Sequence, residues 1–198
     1  MGEGWGGGER DVRDNRYQAE IIMRVYLARH GDAVEAMENP RRPLSAKGRA
    51  EVERMASFLA RGGVHPRRVI HSPKLRAGET AAILARVLAP GAVLEESEGL
   101  GPEDSPERLV ASAKNWTEAA RVANGPANST GNDVLVVGHM PFMAGALAAL
   151  VGAKGKEVGA GDFADFATAA VACLESEATA KGVRWRLLWL VSPGLLGG

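Results

Sequence analysis

A single cysteine, Cys173, occurs in the 198 residues. One thiol cannot form a disulfide or a cysteine-based metal site within the chain, and it points to a reducing compartment, most simply the cytoplasm. An excess of charge of either sign is also missing. The 24 Lys+Arg balance 24 Asp+Glu, so the formal net charge is zero. That balance argues against nucleic acid or an anionic membrane as a partner, while leaving room for a local basic pocket. No apolar run approaches the roughly 18 residues of a membrane-spanning helix, and no charged-then-apolar signal pattern opens the chain. The remaining composition, 45% hydrophobic and 24% charged, is that of an ordinary globular domain, and the length is enough for one domain with a sizeable core.

The first 22 residues stand apart. "MGEGWGGGERDVRDNRYQAE" is rich in Gly and charge and lacks a periodic apolar face. It is expected to be a disordered or loosely attached extension, with the domain proper over 23–198. Met23 opens "MRVYLARHGDA", which reads equally well as a natural start.

Beyond Met23, strands alternate with helices. Val25–Ala28 reads as a short strand. Ser45 reads as the cap of a helix reaching Arg61, with Val52, Met55, Ala56 and Leu59 on one face and Gly62-Gly63 as its stop. Arg68–His71 is a second strand and Arg76–Leu88 a second helix, stopped by Pro90-Gly91. Ala92–Glu95 is a weaker strand. Ser105-Pro106 starts a helix that buries Leu109, Ala113, Trp116 and Ala120. Asp133–Val137 ("DVLVV") is continuously apolar after its aspartate, as a strand covered on both faces would be. Met143, Ala146, Leu147 and Leu150 mark a further helix. Ala167–Leu174 and Arg184–Leu190 read as two late strands, paired antiparallel or lying at a sheet edge. This order predicts an α/β fold, a three-layer α/β/α sandwich on a mostly parallel central sheet, with ligands at the carboxyl ends of the strands.

Three strand ends carry the chemistry. The first ends in Arg29-His30-Gly31. The second ends in His71-Ser72-Pro73, with Lys74-Leu75-Arg76 at the start of the next helix. The apolar fourth strand ends in Gly138-His139-Met140-Pro141. Two arginines and two histidines gathered at one rim suit a phosphate. Arginine offers a planar fork of donors, one histidine can carry a phosphoryl group covalently, and the second can stabilise the equatorial oxygens. Gly31 beside the nucleophile would let the backbone approach a ligand.

These segments resemble the histidine phosphatase superfamily, which is phosphoglycerate mutase-like in fold. The likeness rests on Arg29-His30-Gly31, on "PLSAKGRAEVERMASFL" (43–59), on "SPKLRAGETA" (72–81) and on "VLVVGHMP" (134–141), in family order. The short chain and the Arg-His-Gly-Asp-Ala form are most similar to the SixA-type phosphohistidine phosphatases. The resemblance implies a metal-independent, cofactor-free phosphatase in which His30 is the nucleophile, Arg29 and Arg76 bind phosphate, and His139 stabilises the transferring group. Gly31, Asp32 and Ser72 are expected to line the substrate site. Asp32 is open to a second reading, as a turn cap, and Ser72 to one as a shaper of its turn.

The chain departs from the family's pattern at one place. SixA-type members often carry Glu-Leu-x-Pro as the leaving-group acid segment, where this chain reads Gly99-Leu100-Gly101-Pro102. Glu98, Glu103 and Asp104 are the nearby substitutes. An imidazole leaving group, with an ordinary pKa of about 6.5, needs less acid help than an alkoxide. The expected partner is therefore a phosphorylated protein of the histidine phosphotransfer or phosphocarrier type. A small phosphorylated metabolite is the alternative substrate, and a phosphate-binding module without turnover is the third reading. His71 is expected to be a neighbour of the site, His65 a turn residue, Arg41-Arg42 a solvated loop, and Cys173 a core residue.

Overall fold

The computed structural model describes residues 21–124, 132–153, 163–179 and 182–197. Residues 1–20, most of the expected extension, lie outside them. Six strands form one sheet: β1 (Ile21–Arg29), β2 (Arg68–His71), β3 (Leu94–Glu96), β4 (Val134–Gly138), β5 (Val171–Thr179) and β6 (Gly182–Val191). Their order is β3-β2-β4-β1-β5-β6. The first four are mutually parallel, β5 runs antiparallel to β1, and β6 antiparallel to β5. The helices are α1 (Ala46–Arg61), α2 (Leu75–Leu88), α3 (Glu107–Asn124) and α4 (Phe142–Leu150). Among the described residues, no helix is long and apolar enough to cross a membrane.

Alternation along the strands assigns the two faces. Tyr26, Ala28, Val69, Leu135, Val137 and Cys173 pack under α1 and α2. Met23, Val25, Leu27, Val134, Val136 and Leu174 pack under α3 and α4. All five residues of β4 are buried, which explains why the run shows no alternation. The sandwich is thus the expected α/β three-layer arrangement.

The helix ends follow their sequence signals. The Ser45 hydroxyl accepts from the Gly48 backbone N–H at 2.9 Å, capping α1, and Gly63 beyond its end adopts a φ of 73°. α1 buries Val52, Met55, Ala56 and Leu59, as the spacing predicts. α4 is apolar nearly all round because it sits inside the second core rather than on it.

Several strand limits differ: β3 starts at Leu94 rather than Ala92, β5 runs on to Thr179 and β6 starts at Gly182, and two starts differ by four residues. β1 begins at Ile21, not Val25, because the antiparallel β5 extends far enough to pair Ile21 with Glu177. The strand therefore reaches two residues into the range read as extension. β5 begins at Val171 rather than Ala167. Residues 167–170 form a turn instead, with Ala169 in the left-handed region at φ 59°. Its Ala170 carbonyl accepts from the Arg29 N–H at 3.0 Å, and the Ala169 N–H donates to the His30 carbonyl at 3.1 Å. Hydrogen bonds to the end of β1 replace the strand that the apolar composition suggests.

Candidate active site

β1 and β4 are neighbours whose following helices lie on opposite faces of the sheet, α1 on one and α4 on the other. This is the switch point at which open α/β sheets form a crevice. Register brings the strand ends level. Arg29 lies opposite Gly138, and His71 opposite Val137. The His30 N–H donates to the Gly138 carbonyl at 3.0 Å, and the Ser72 N–H to the Val137 carbonyl at 3.0 Å. His30, Ser72 and His139 therefore leave three adjacent strands at one height. The rings of His30 and His139 are 4.9 Å apart, centroid to centroid.

The partners of His30 assign its tautomer. Nδ1 is 2.7 Å from the Gly31 carbonyl, which can only accept, so Nδ1 carries the proton. Nε2 then holds the lone pair, and Arg76 Nε donates to it at 3.1 Å. Burial is the main reason that the His30 pKa is lowered to about 4. The Gly31 bond opposes this shift, and the charges of Arg76, Arg29 and Arg42 add to it. The ring is neutral at physiological pH, as a nitrogen nucleophile has to be.

His139 is more enclosed, at 2% exposure. Its Nε2 is 2.9 Å from the Ser72 hydroxyl, which in turn accepts from the Lys74 N–H at 3.4 Å. The hydroxyl proton then points to Nε2, leaving Nδ1–H as a donor. Burial first, then the charges of His30, Arg76, Lys74 and Arg29, lower the His139 pKa to about 3.

Arg29 directs one terminal nitrogen to the Phe166 carbonyl at 2.6 Å, 137 residues along the chain. Its Nε and His139 Nδ1 are both buried, and neither has a partner among the described residues. Orphaned buried donors are rare in folded proteins. These two belong to residues that the sequence assigns to one phosphate pocket.

Two other expected site residues also make contacts within the scaffold. The Asp32 carboxylate accepts from the Ser45 hydroxyl at 2.5 Å, bracing the nucleophile loop on the α1 cap. At Gly31, helix packing itself leaves no room for a side chain. A Cβ there would stand 2.7 Å from a Val52 methyl and 3.0 Å from the Gly48 carbonyl oxygen. Its N–H donates to the Thr80 hydroxyl at 3.0 Å, and that hydroxyl donates to the Arg76 carbonyl at 2.7 Å. Thr80 thereby ties the nucleophile loop to the helix that carries Arg76. In the sequence it stands out only as part of the segment "SPKLRAGETA" (72–81).

His71 Nδ1 lies 2.9 Å from the Ser72 carbonyl, and His65 Nδ1 lies 3.3 Å from the Leu88 carbonyl. Neither makes a hydrogen bond to the paired histidines. Where the carboxylate is missing, Gly99 adopts a φ of 83° and the Gly101 N–H donates to Asp104 at 2.6 Å. Ser72, Lys74, Glu98, Glu103 and Asp104 line a cavity of about 300 Å³ beside the histidines. Among the described residues, no group of three or more His, Cys, Asp or Glu side chains is arranged to hold a metal ion.

The histidine phosphatase superfamily (branch 1) model matches residues 25–101. An uncharacterized protein of Picosynechococcus sp. is 34% identical over 122 residues, which span 60% of this chain and 67% of that protein. The phosphohistidine phosphatase SixA of Escherichia coli is 28% identical over 172 residues, 86% of this chain and 94% of SixA. The structure of the protein histidine phosphatase SixA complexed with tungstate superposes with a TM-score of 0.70 at 28% identity, covering 88% of this chain and 99% of that one.

Proposed function

The chain belongs to the histidine phosphatase superfamily and is a phosphatase, and from that premise we propose that it hydrolyses phosphohistidine on a protein through a covalent intermediate at His30. One observation carries the proposal: His30 presents an unprotonated Nε2 among donors that lack partners of their own. Arg76 Nε already points at that atom. Arg29 Nε and His139 Nδ1 are unpaired.

In the first step Nε2 of His30 attacks phosphorus as the bond from phosphorus to the leaving imidazole nitrogen breaks; that nitrogen keeps the electron pair, and the substrate ring, protonated from solvent on its other nitrogen, departs as a neutral imidazole. Arg76 transfers its hydrogen bond from Nε2 to a phosphoryl oxygen. Arg29 and His139 donate to the others, where charge accumulates. Water then attacks phospho-His30 in line. The P–N bond breaks, Nε2 regains its lone pair, and inorganic phosphate leaves.

The protein substrate is supported by the leaving-group side. The hydrogen-bond partners of the two histidine rings are Arg76, Ser72 and the Gly31 carbonyl, and none is a carboxylate among the described residues. Asp104 is occupied within its own turn. Glu98 and Glu103 line the adjoining cavity, and the usual acid position is held by Gly99; a site lacking that acid suits an imidazole, whose ordinary pKa is about 6.5, better than an alkoxide.

The test compares steady-state rates on a phosphohistidine-bearing phosphotransfer domain and on a panel of sugar phosphates. Wild type and His30→Ala are assayed side by side. The phosphoprotein should be preferred, and His30→Ala should lose on the order of 10³-fold or more. A marked preference for a sugar phosphate would transfer the assignment to small metabolites. Equal rates for wild type and His30→Ala would remove His30 as the nucleophile.

A further inference from the structure

The loop between β1 and α1 carries a third arginine that the mechanism above does not use. Its two ends are closed on each other: Ala33 bridges Leu44, and the Val34 N–H donates to the Pro43 carbonyl at 3.0 Å. The loop is also fastened on two sides. The Leu44 N–H donates to Glu79 at 2.6 Å, one helical turn beyond Arg76, and Ser45 holds Asp32, two residues beyond His30. Arg42 therefore lies in a segment clamped between the nucleophile loop and the first turn of α2.

Its own conformation is unusual. Arg42 has a φ of 47°, a left-handed backbone that non-glycine residues adopt at a cost and that concentrates at functional positions. The Arg42 N–H donates to the Asn39 carbonyl at 2.8 Å, and Nε donates to the Val34 carbonyl at 3.1 Å. The stem of the guanidinium is thereby fixed. Among the described residues, no carboxylate pairs with it. Its charge reaches both His30 and Arg76, where it opposes their protonated forms. Neighbouring Arg41 differs: it is exposed, and among the described residues its backbone N–H donates to the Asn39 side chain while its guanidinium makes no hydrogen bond.

We infer that Arg42 is a substrate-binding residue, whose anchored guanidinium helps hold the phosphoryl dianion. The inference rests on the phosphatase reading of the same pocket and extends it to a residue on a loop. Bringing a third cation close to two others is costly in the empty site, and a bound dianion offsets that cost.

The full-length chain is titrated with inorganic phosphate by calorimetry, as wild type and as Arg42→Gln, Arg42→Gly, Arg42→Lys and Arg41→Gln. Arg42→Gly relieves the backbone, so a merely structural role predicts a sound loop and unchanged phosphate binding in that variant. Loss of a charged hydrogen-bond donor should weaken the phosphate Kd by about 10- to 100-fold in Arg42→Gln and Arg42→Gly. Arg42→Lys should fall between these and wild type. Arg41→Gln should stay within about twofold of wild type. Wild-type affinity in Arg42→Gln and Arg42→Gly overturns the role of Arg42 alone. A wild type that neither binds phosphate nor hydrolyses an aryl phosphate overturns the pocket itself.

Discussion

Keeping two histidines neutral inside a pocket has a thermodynamic signature. Native His30 and His139 have pKa values near 4 and 3, against the ordinary value of 6.5. Both are depressed, so below about pH 6.5 the unfolded chain binds more protons than the native one, and stability falls as the pH falls. Between about pH 7.5 and about pH 5 an unfolded histidine becomes almost fully protonated while its native counterpart stays almost free of protons. Each ring then contributes a loss of about 2 kcal/mol, or about 4 kcal/mol for the pair. Urea unfolding at both pH values, in phosphate-free buffer, measures the sum, because any bound anion would stabilise the native state separately. Comparing the change with that of His30→Asn isolates one ring, since the carboxylates contribute equally to both proteins. The variant should lose about 2 kcal/mol less than wild type over this range, and His30→Asn/His139→Asn about 4 kcal/mol less. Parallel pH profiles for wild type and variants would show that the rings titrate normally in the folded protein. The account of how His30 remains a free nucleophile would then fail.

Two further outcomes follow from the geometry. Gly48→Ala would drive a Cβ to 2.0 Å from the Asp32 carbonyl oxygen; since the contact is backbone on backbone, it should cost about 3 kcal/mol or more in chemical denaturation. A loss below about 1 kcal/mol would mean that the nucleophile loop yields easily. Ser72→Ala removes the one partner of His139 Nε2 among the described residues and should lower kcat on an aryl phosphate by about tenfold, with a smaller effect on KM. An unchanged kcat would show that Ser72 only shapes its turn.

Much of this site was readable from the chain because its parts hang on strand ends. A run such as "DVLVV" announces a covered strand, and in a parallel sheet whatever follows such strands meets at one edge. Arg29, His30, Ser72, Arg76 and His139 follow from that rule. The bond from Arg29 to Phe166 does not, because it joins positions 137 residues apart and lies just before a turn at 167–170 that reads as strand. Asp32 and Gly31 sit in the expected place but answer to α1, whose close packing no local pattern reveals. Arg42 looked like loop charge, since a positive φ and a fixed side chain are tertiary facts. The start of β1 was misjudged for a similar reason: Ile21 becomes strand only because β5 runs alongside it.

The 4.9 Å between the two histidine rings is close to the separation of neighbouring strands, roughly 4.8 Å. The backbone ladder between β1 and β4 thus acts as the ruler for the reacting pair. Nothing has to close over the crevice to set that distance, and loops elsewhere can lengthen or shorten without altering it. The same ladder makes chemistry and folding inseparable here. A chain that has zipped these two strands has already aligned its nucleophile, and one that has slipped by a single residue has none, since every side chain would then face the wrong way.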